Sequence, residues 1–146
     1  MAAYVKYNSF VDELAKGNHG NLSTPAVFKV ALSNTAGDVA QTLNTLSQVT
    51  QISGTSTGYT TGGSTATMAY GYGTGTVTLT GTKVVFTCAT NPMGPLRYAI
   101  IYNDTHATDG LIGSWDYASS PTLAVGETFS VKFNSSDTTG TILTLA

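Results

Sequence analysis

The sequence predicts a mainly β fold: an antiparallel β-sandwich or jelly-roll-like domain of about nine or ten short strands with one N-terminal helix. Three observations carry that reading. First, 26 Thr, 13 Ser and 16 Gly together make 55 of the 146 residues, and threonine suits a pleated surface while being weak in helices. Second, apolar residues after Pro25 recur with a period of two rather than three or four. Third, turn-forming clusters return about every 8–12 residues, the spacing of a sandwich or barrel. The length fits a single domain, 1–146, large enough to bury a core without disulfides. Cys88 is the one cysteine, so no intrachain disulfide can form.

The N-terminal helix is expected over about residues 3–17. Ala3, Tyr7, Phe10, Val11 and Leu14 fall at spacings of three and four and line one face. Lys16 suits the negative end of the helix, and Gly17 supplies a stop, with Gly20 as a second. The width of the stripe favours a helix that covers the domain's own sheet over an arm that docks on another subunit.

Phe28, Val30 and Leu32 alternate with Lys29 and Ala31, the pattern of a half-buried strand. Ser33 to Asp38 is turn chemistry. Leu43 and Leu46 suit a short helical turn, and Val49 to Ile52 a short strand. Gly54 to Ser64, polar and rich in glycine around Tyr59, reads as a surface loop. Residues 65–70 form another strand, which Gly71, Gly73 and Gly75 interrupt around Tyr72. Thr76 to Leu79 and Lys83 to Cys88 bracket Gly81, which reads as a tight turn. Asn91 to Pro95 is a strong break. Leu96 to Tyr102 is a nearly continuous apolar run and reads as a central strand. After the polar loop Asn103 to Gly110 come Leu111 to Tyr117, Leu123 to Val125, Phe129 to Phe133 and Ile142 to Leu145.

Charge is scarce: 10% of residues, net −2, against a usual ~25% charged. No sustained basic patch exists, which argues against direct nucleic-acid binding. No stretch reaches the ~18 apolar residues of a membrane-spanning helix, so no membrane partner is expected. Asp12 and Glu13 fall where a signal peptide would be apolar, so synthesis in the cytoplasm is expected. A neutral, hydroxyl-rich surface fits a protein covered by neighbours, and it fits equally a β-protein that is simply uncharged.

Reactive groups are few, and no catalytic, cofactor-binding or metal site is expected. His19 and His106 have no recognised ligand spacing, and the His106 loop reads as exposed turn structure. Cys88 ends an apolar strand and reads as a buried structural thiol. Neither Gly58–Gly63 nor Gly71–Gly75 has the Lys-Ser/Thr ending of a phosphate loop. They read as turns, or as tips that reach another subunit through Tyr59, Tyr70 and Tyr72; Tyr4 and Tyr7 on the helix are the next interface candidates. Strand alternation places Trp115 and Tyr117 on one face and Asp116 on the other. These three could also form a sugar-stacking cluster, so a carbohydrate-binding module is an alternative of another class. Arg97, the only arginine, lies in an otherwise apolar run and needs a carboxylate. Asp116, Glu127 and Asp104 are the candidates, and a structural pair Arg97–Asp116 is expected.

Several segments in order carry a resemblance. They are Lys6 to Ala15, Phe28 to Thr35, Gly58 to Gly63, Gly94 to Thr105, Leu111 to Tyr117, Val125 to Val131 and Ile142 to Ala146. Together they resemble a family of small virion proteins of tailed bacteriophages, either head decoration (cement) or tail-associated proteins. The resemblance spans nearly the whole chain and implies a non-enzymatic, β-rich structural protein present in many copies on the virion. The expected role is a capsid decoration protein on the capsid surface. Its partners would be the major capsid protein and copies of itself, as a homotrimer. The alternative is a minor tail or baseplate protein. The chain departs from the family's pattern at Ser114, before Trp115, and at Pro121 in the next turn.

Overall fold

The structure is a computed structural model that describes residues 4–23, 27–134 and 139–146. Among these residues, ten strands and one α-helix form: β1 (Tyr4–Lys6), α1 (Asn8–Ala15), β2 (Phe28–Ser33), β3 (Ser64–Ala66), β4 (Met68–Gly73), β5 (Thr76–Gly81), β6 (Val84–Thr87), β7 (Tyr98–Asn103), β8 (Gly110–Asp116), β9 (Thr128–Val131) and β10 (Gly140–Leu145). All pairings are antiparallel: a five-stranded sheet β1-β8-β7-β2-β3, a three-stranded sheet β10-β5-β4 and a two-stranded pair β6-β9. The mainly β, sandwich-like fold with one helix is therefore the one the sequence predicts.

The apolar run at Tyr98–Tyr102 is central because both its faces are covered. On one face Val30, Leu32, Ala99, Ile101 and Ile112 join Leu79 of β5, Phe86 of β6, Val131 of β9 and Ile142 of β10 in one core. On the other, Ala31, Ile100, Tyr102 and Leu111 pack with Tyr7, Leu46 and Val49. That second layer is a long connection with two 3-10 turns, Ala36–Val39 and Leu46–Gln48. A bulge in β8 places Ile112 between the pairs Ile101–Gly113 and Tyr102–Leu111. The extra residue bends the strand locally and lets Leu111 and Ile112 feed different cores.

The helix is shorter than its apolar periodicity suggests. Tyr4–Lys6 extend and pair with β8, Tyr4 opposite Trp115 and Lys6 opposite Gly113, because the edge of β8 offers a ladder that a helix could not use. The approach requires glycine at 113: a Cβ there would lie 2.1 Å from the Tyr4 ring. Phe10 is fully buried and α1 packs on β8, so the helix does cover its own sheet. Val11, expected on the buried stripe, is 48% exposed. Ala3 lies outside the described residues.

Gly81 is not a turn. β5 runs through it, pairing with Met68 of β4 and Gly140 of β10, and a side chain there would meet Ile142 Cδ1 at 2.6 Å. The true hairpin turn is Thr74–Gly75, both at positive φ (48° and 80°), as a two-residue type I′ connection requires. Gly71 and Gly73 accordingly lie within β4 rather than interrupting it. Residues Val49–Ile52 and Leu123–Val125 form no strands; they contribute only the isolated bridges Ser33–Gln51 and Met93–Leu123.

Candidate functional site

Arg97 precedes β7 and Tyr117 follows β8, and the Tyr117 N–H donates to the Arg97 carbonyl at 2.9 Å. This extra rung brings the two strand ends together. Arg97 Nε and Nη2 then donate to Asp116 Oδ1 and Oδ2 at 2.8 and 2.9 Å, a bidentate fork. The expected pair is present, but not in a buried setting: both side chains are roughly two-fifths exposed, so it adds little stability. Its effect is to fix two polar groups in one orientation. The Arg97 hydrogen bonds, and then the Ala118 N–H at 2.7 Å, hold the Asp116 carboxyl down at about 2. Arg97 also lies over the Tyr98 ring, 5.3 Å from its centroid. The other candidate partners are engaged elsewhere: Asp104 with Lys29 at 2.9 Å, and Glu127 with the Ala124 N–H at 2.7 Å.

This fork opens onto a cleft of about 600 Å³. Trp115, Asp116 and Tyr117 all line it, whereas alternation alone puts Asp116 on the opposite face from the rings. The period of two ends with the strand: Ala118 adopts positive φ (64°), and its N–H bond to Asp116 curls the chain there. Tyr4 and Phe133 flank Trp115, with ring centroids 5.2 and 5.5 Å away. Tyr117 is 54% exposed and is braced edge-on by Phe129 at 5.4 Å and 87°.

The five tyrosines expected at interfaces divide. Tyr70 and Tyr72, on β4, are 42% and 70% exposed. Tyr4 is half-buried against Trp115, and burial pushes its hydroxyl up to about 12. Tyr7 and Tyr59 are corrections. Tyr7 is buried and its hydroxyl donates to the Asp38 carbonyl. Tyr59 is 2% exposed: its hydroxyl donates to Gln51 Oε1 at 2.6 Å and accepts from the Leu32 N–H at 3.2 Å. Gln51 Oε1 also accepts from the Gly62 N–H at 2.8 Å, and the Tyr102 hydroxyl donates to the Gly62 carbonyl at 2.6 Å. A polar, glycine-rich loop thus closes over a core ring, because the loop's own polar groups are satisfied there.

The structure brings together two histidines that the sequence does not connect. His19 and His106 pack at a tilt of 44° with centroids 5.0 Å apart, and Phe10 covers His19 from 4.9 Å. The His106 side chain is 8% exposed, not a loop tip. Its Nδ1 accepts from the Thr108 N–H at 3.2 Å, which leaves Nε2 to donate to Glu13 Oε2 at 3.4 Å. His19 is buried, its Nδ1 accepts from Asn103 Nδ2 at 3.3 Å, and its Nε2 has no partner among the described residues. Burial first, then His106, lowers the His19 imidazole to about 4. Among the described residues no group of three or more His, Cys, Asp or Glu is arranged to hold a metal. Cys88 is buried, and its thiol donates to the Asn91 carbonyl at 3.2 Å. Among the described residues no helix is long and apolar enough to cross a membrane.

Compared with family models, curated proteins and solved structures, the chain matches none.

Proposed function

We propose that this chain is a structural virion protein of a tailed bacteriophage, a capsid decoration protein that stabilises the head by binding across major capsid subunits. The observation that carries the contact role is the β4–β5 hairpin. From Met68 to Gly81 it contains no charged residue and no proline, and β4 is paired on one side only. Natural edge strands are normally blunted by charge, proline, a bulge or brevity. Among the other outer strands, β1, β3, β6 and β9 have only three or four residues each, and β10 carries a register shift between Thr141 and Leu143. β4 has six residues in unbroken register, with Tyr70 and Tyr72 outward. An edge of this kind is suited to contact with another chain, here the major capsid protein or a second copy in a homotrimer. The resemblance of the segments quoted above supplies the setting, the virion surface, with no nucleic-acid or membrane partner.

Stable contacts of this type bury about 1,200–2,000 Å². Particles carrying the protein should resist heat and low salt better than particles lacking it, and the double variant Tyr70→Ala, Tyr72→Ala should lose particle association while its own melting temperature falls only slightly. Equal stability of the two particle types removes the cement role. Copy number per particle separates the head from the tail or baseplate alternative.

A further inference from the structure

The cleft at Arg97, Asp116 and Tyr117 shares no residue with the β4–β5 hairpin, and its chemistry is of another kind. We infer that it is a saccharide-binding site, in which the ring of Tyr117 stacks on a sugar face while the Arg97–Asp116 fork takes neighbouring hydroxyls.

The class of ligand follows by elimination. A purely apolar ligand would strip water from the fork and leave its remaining groups unpaired, which is costly. The cleft lining carries two cations, Arg97 and Lys132, and one carboxylate, Asp116; the arginine is spent on that carboxylate through two hydrogen bonds, so a simple anion would have to rely on Lys132 alone. What remains is a neutral, polyhydroxylated molecule with an apolar face. The guanidinium keeps N–H groups beyond the two that Asp116 uses, and Asp116 stays ionised throughout the usable pH range, so the fork presents donors and acceptors side by side. A pair of adjacent hydroxyls on a pyranose asks for that combination. The apolar C–H face of the same ring asks for an exposed aromatic, and Tyr117 provides one held at a fixed angle by Phe129. Trp115 forms the floor, itself fixed by Tyr4 and Phe133. A volume of about 600 Å³ lies within the ~300–1,000 Å³ of small-molecule sites. Both strand ends are tied by the Arg97–Tyr117 rung, so little ordering accompanies binding.

Trp115 is the only tryptophan in the chain, so its emission, excited selectively over the tyrosines, reports on this cleft. The whole protein is titrated to about 10 mM with maltose, cellobiose, N,N′-diacetylchitobiose and lactose, and separately with sodium acetate. At least one saccharide should give a saturable change in Trp115 emission. Tyr117→Ala should weaken it about tenfold or more, Tyr117→Phe should retain it, and Asp116→Asn should weaken it. Circular dichroism and melting confirm that each variant is folded; Tyr117, largely exposed, can be truncated without touching the core. Tyr72→Ala should leave saccharide binding unaltered, so failure here and failure of the virion reading are separate results. No response to any of the four sugars overturns the inference. So does a response that survives Tyr117→Ala, or one that acetate reproduces.

Discussion

The strand pair β7–β8 and the hairpin β4–β5 are built on the same antiparallel ladder, yet they spend their side chains oppositely. Every residue of β7 is buried, and all of β8 except its last residue. Five of the six residues of β4 are exposed. The first pair is held by packing on two faces. The second is held by a two-residue turn and by its ladder to β5, which β10 backs. Residues in β7–β8 therefore determine whether the chain folds, whereas Tyr70 and Tyr72 are large rings that keep 42% and 70% of their surface exposed.

The comparison breaks first under core truncation. Ile101 is fully buried between the sheets, so Ile101→Ala should cost about 2–5 kcal/mol. Urea denaturation measures it, and a cost as small as that of a surface change would mean the sheet is not the core described. The next effect is pH dependence. His19 is held neutral in the fold, near 4 against an ordinary 6.5. The unfolded chain binds the proton more readily, so stability is full above pH 6.5, falls as the pH drops toward 4 and levels off below. The loss is on the order of 3 kcal/mol. His19→Gln should flatten that slope in denaturation curves taken between pH 7 and 4. An unchanged slope would show that His19 is solvated.

A third test separates the two kinds of tyrosine. Tyr59→Phe removes the hydroxyl that links Gln51 to the Leu32 N–H; Gln51 Oε1 keeps the Gly62 N–H, and leaving the buried Leu32 amide unpaired should cost about 1–3 kcal/mol. A neutral result would return Tyr59 to the surface.

The parts of this architecture that sequence reveals are those encoded by local periodicity. Phe28, Val30 and Leu32 alternate and form β2; Tyr98 to Tyr102 are apolar throughout and lie centrally; Arg97, alone in an apolar run, finds Asp116. The parts that stay hidden depend on partners distant in the chain. Gly81 reads as punctuation because a glycine between two apolar runs normally is; its actual constraint is Ile142, on another strand. Tyr59 reads as a loop tip because its neighbours are polar, and only Gln51 and the Leu32 amide make its burial tolerable. The shared cleft of Trp115, Asp116 and Tyr117 is hidden by assuming that alternation continues past the strand end, which the turn at Ala118 prevents. The contact of His19 with His106 has no local signature, since one lies after α1 and the other between β7 and β8.

The smallest expected effect on stability sharpens the comparison most. Tyr72 is 70% exposed, and opposite it on β5 is Val77, a partly buried residue. Truncating it removes cross-strand contact worth about 0.2–1 kcal/mol and no core packing, so Tyr72→Ala should shift the urea midpoint barely beyond error. Placing a lysine at Gly71 should do likewise, because that position has open space around it apart from the Thr78 carbonyl at 3.7 Å. Such a charge would sit in the middle of a six-residue uncharged edge in unbroken register, where pairing with another strand is most disfavoured. If the hairpin's exposure serves contact, Gly71→Lys should abolish association with other chains while the isolated protein melts as before. If association survives the charge, β4 is not the contacting edge, and the bare hairpin has some other cause.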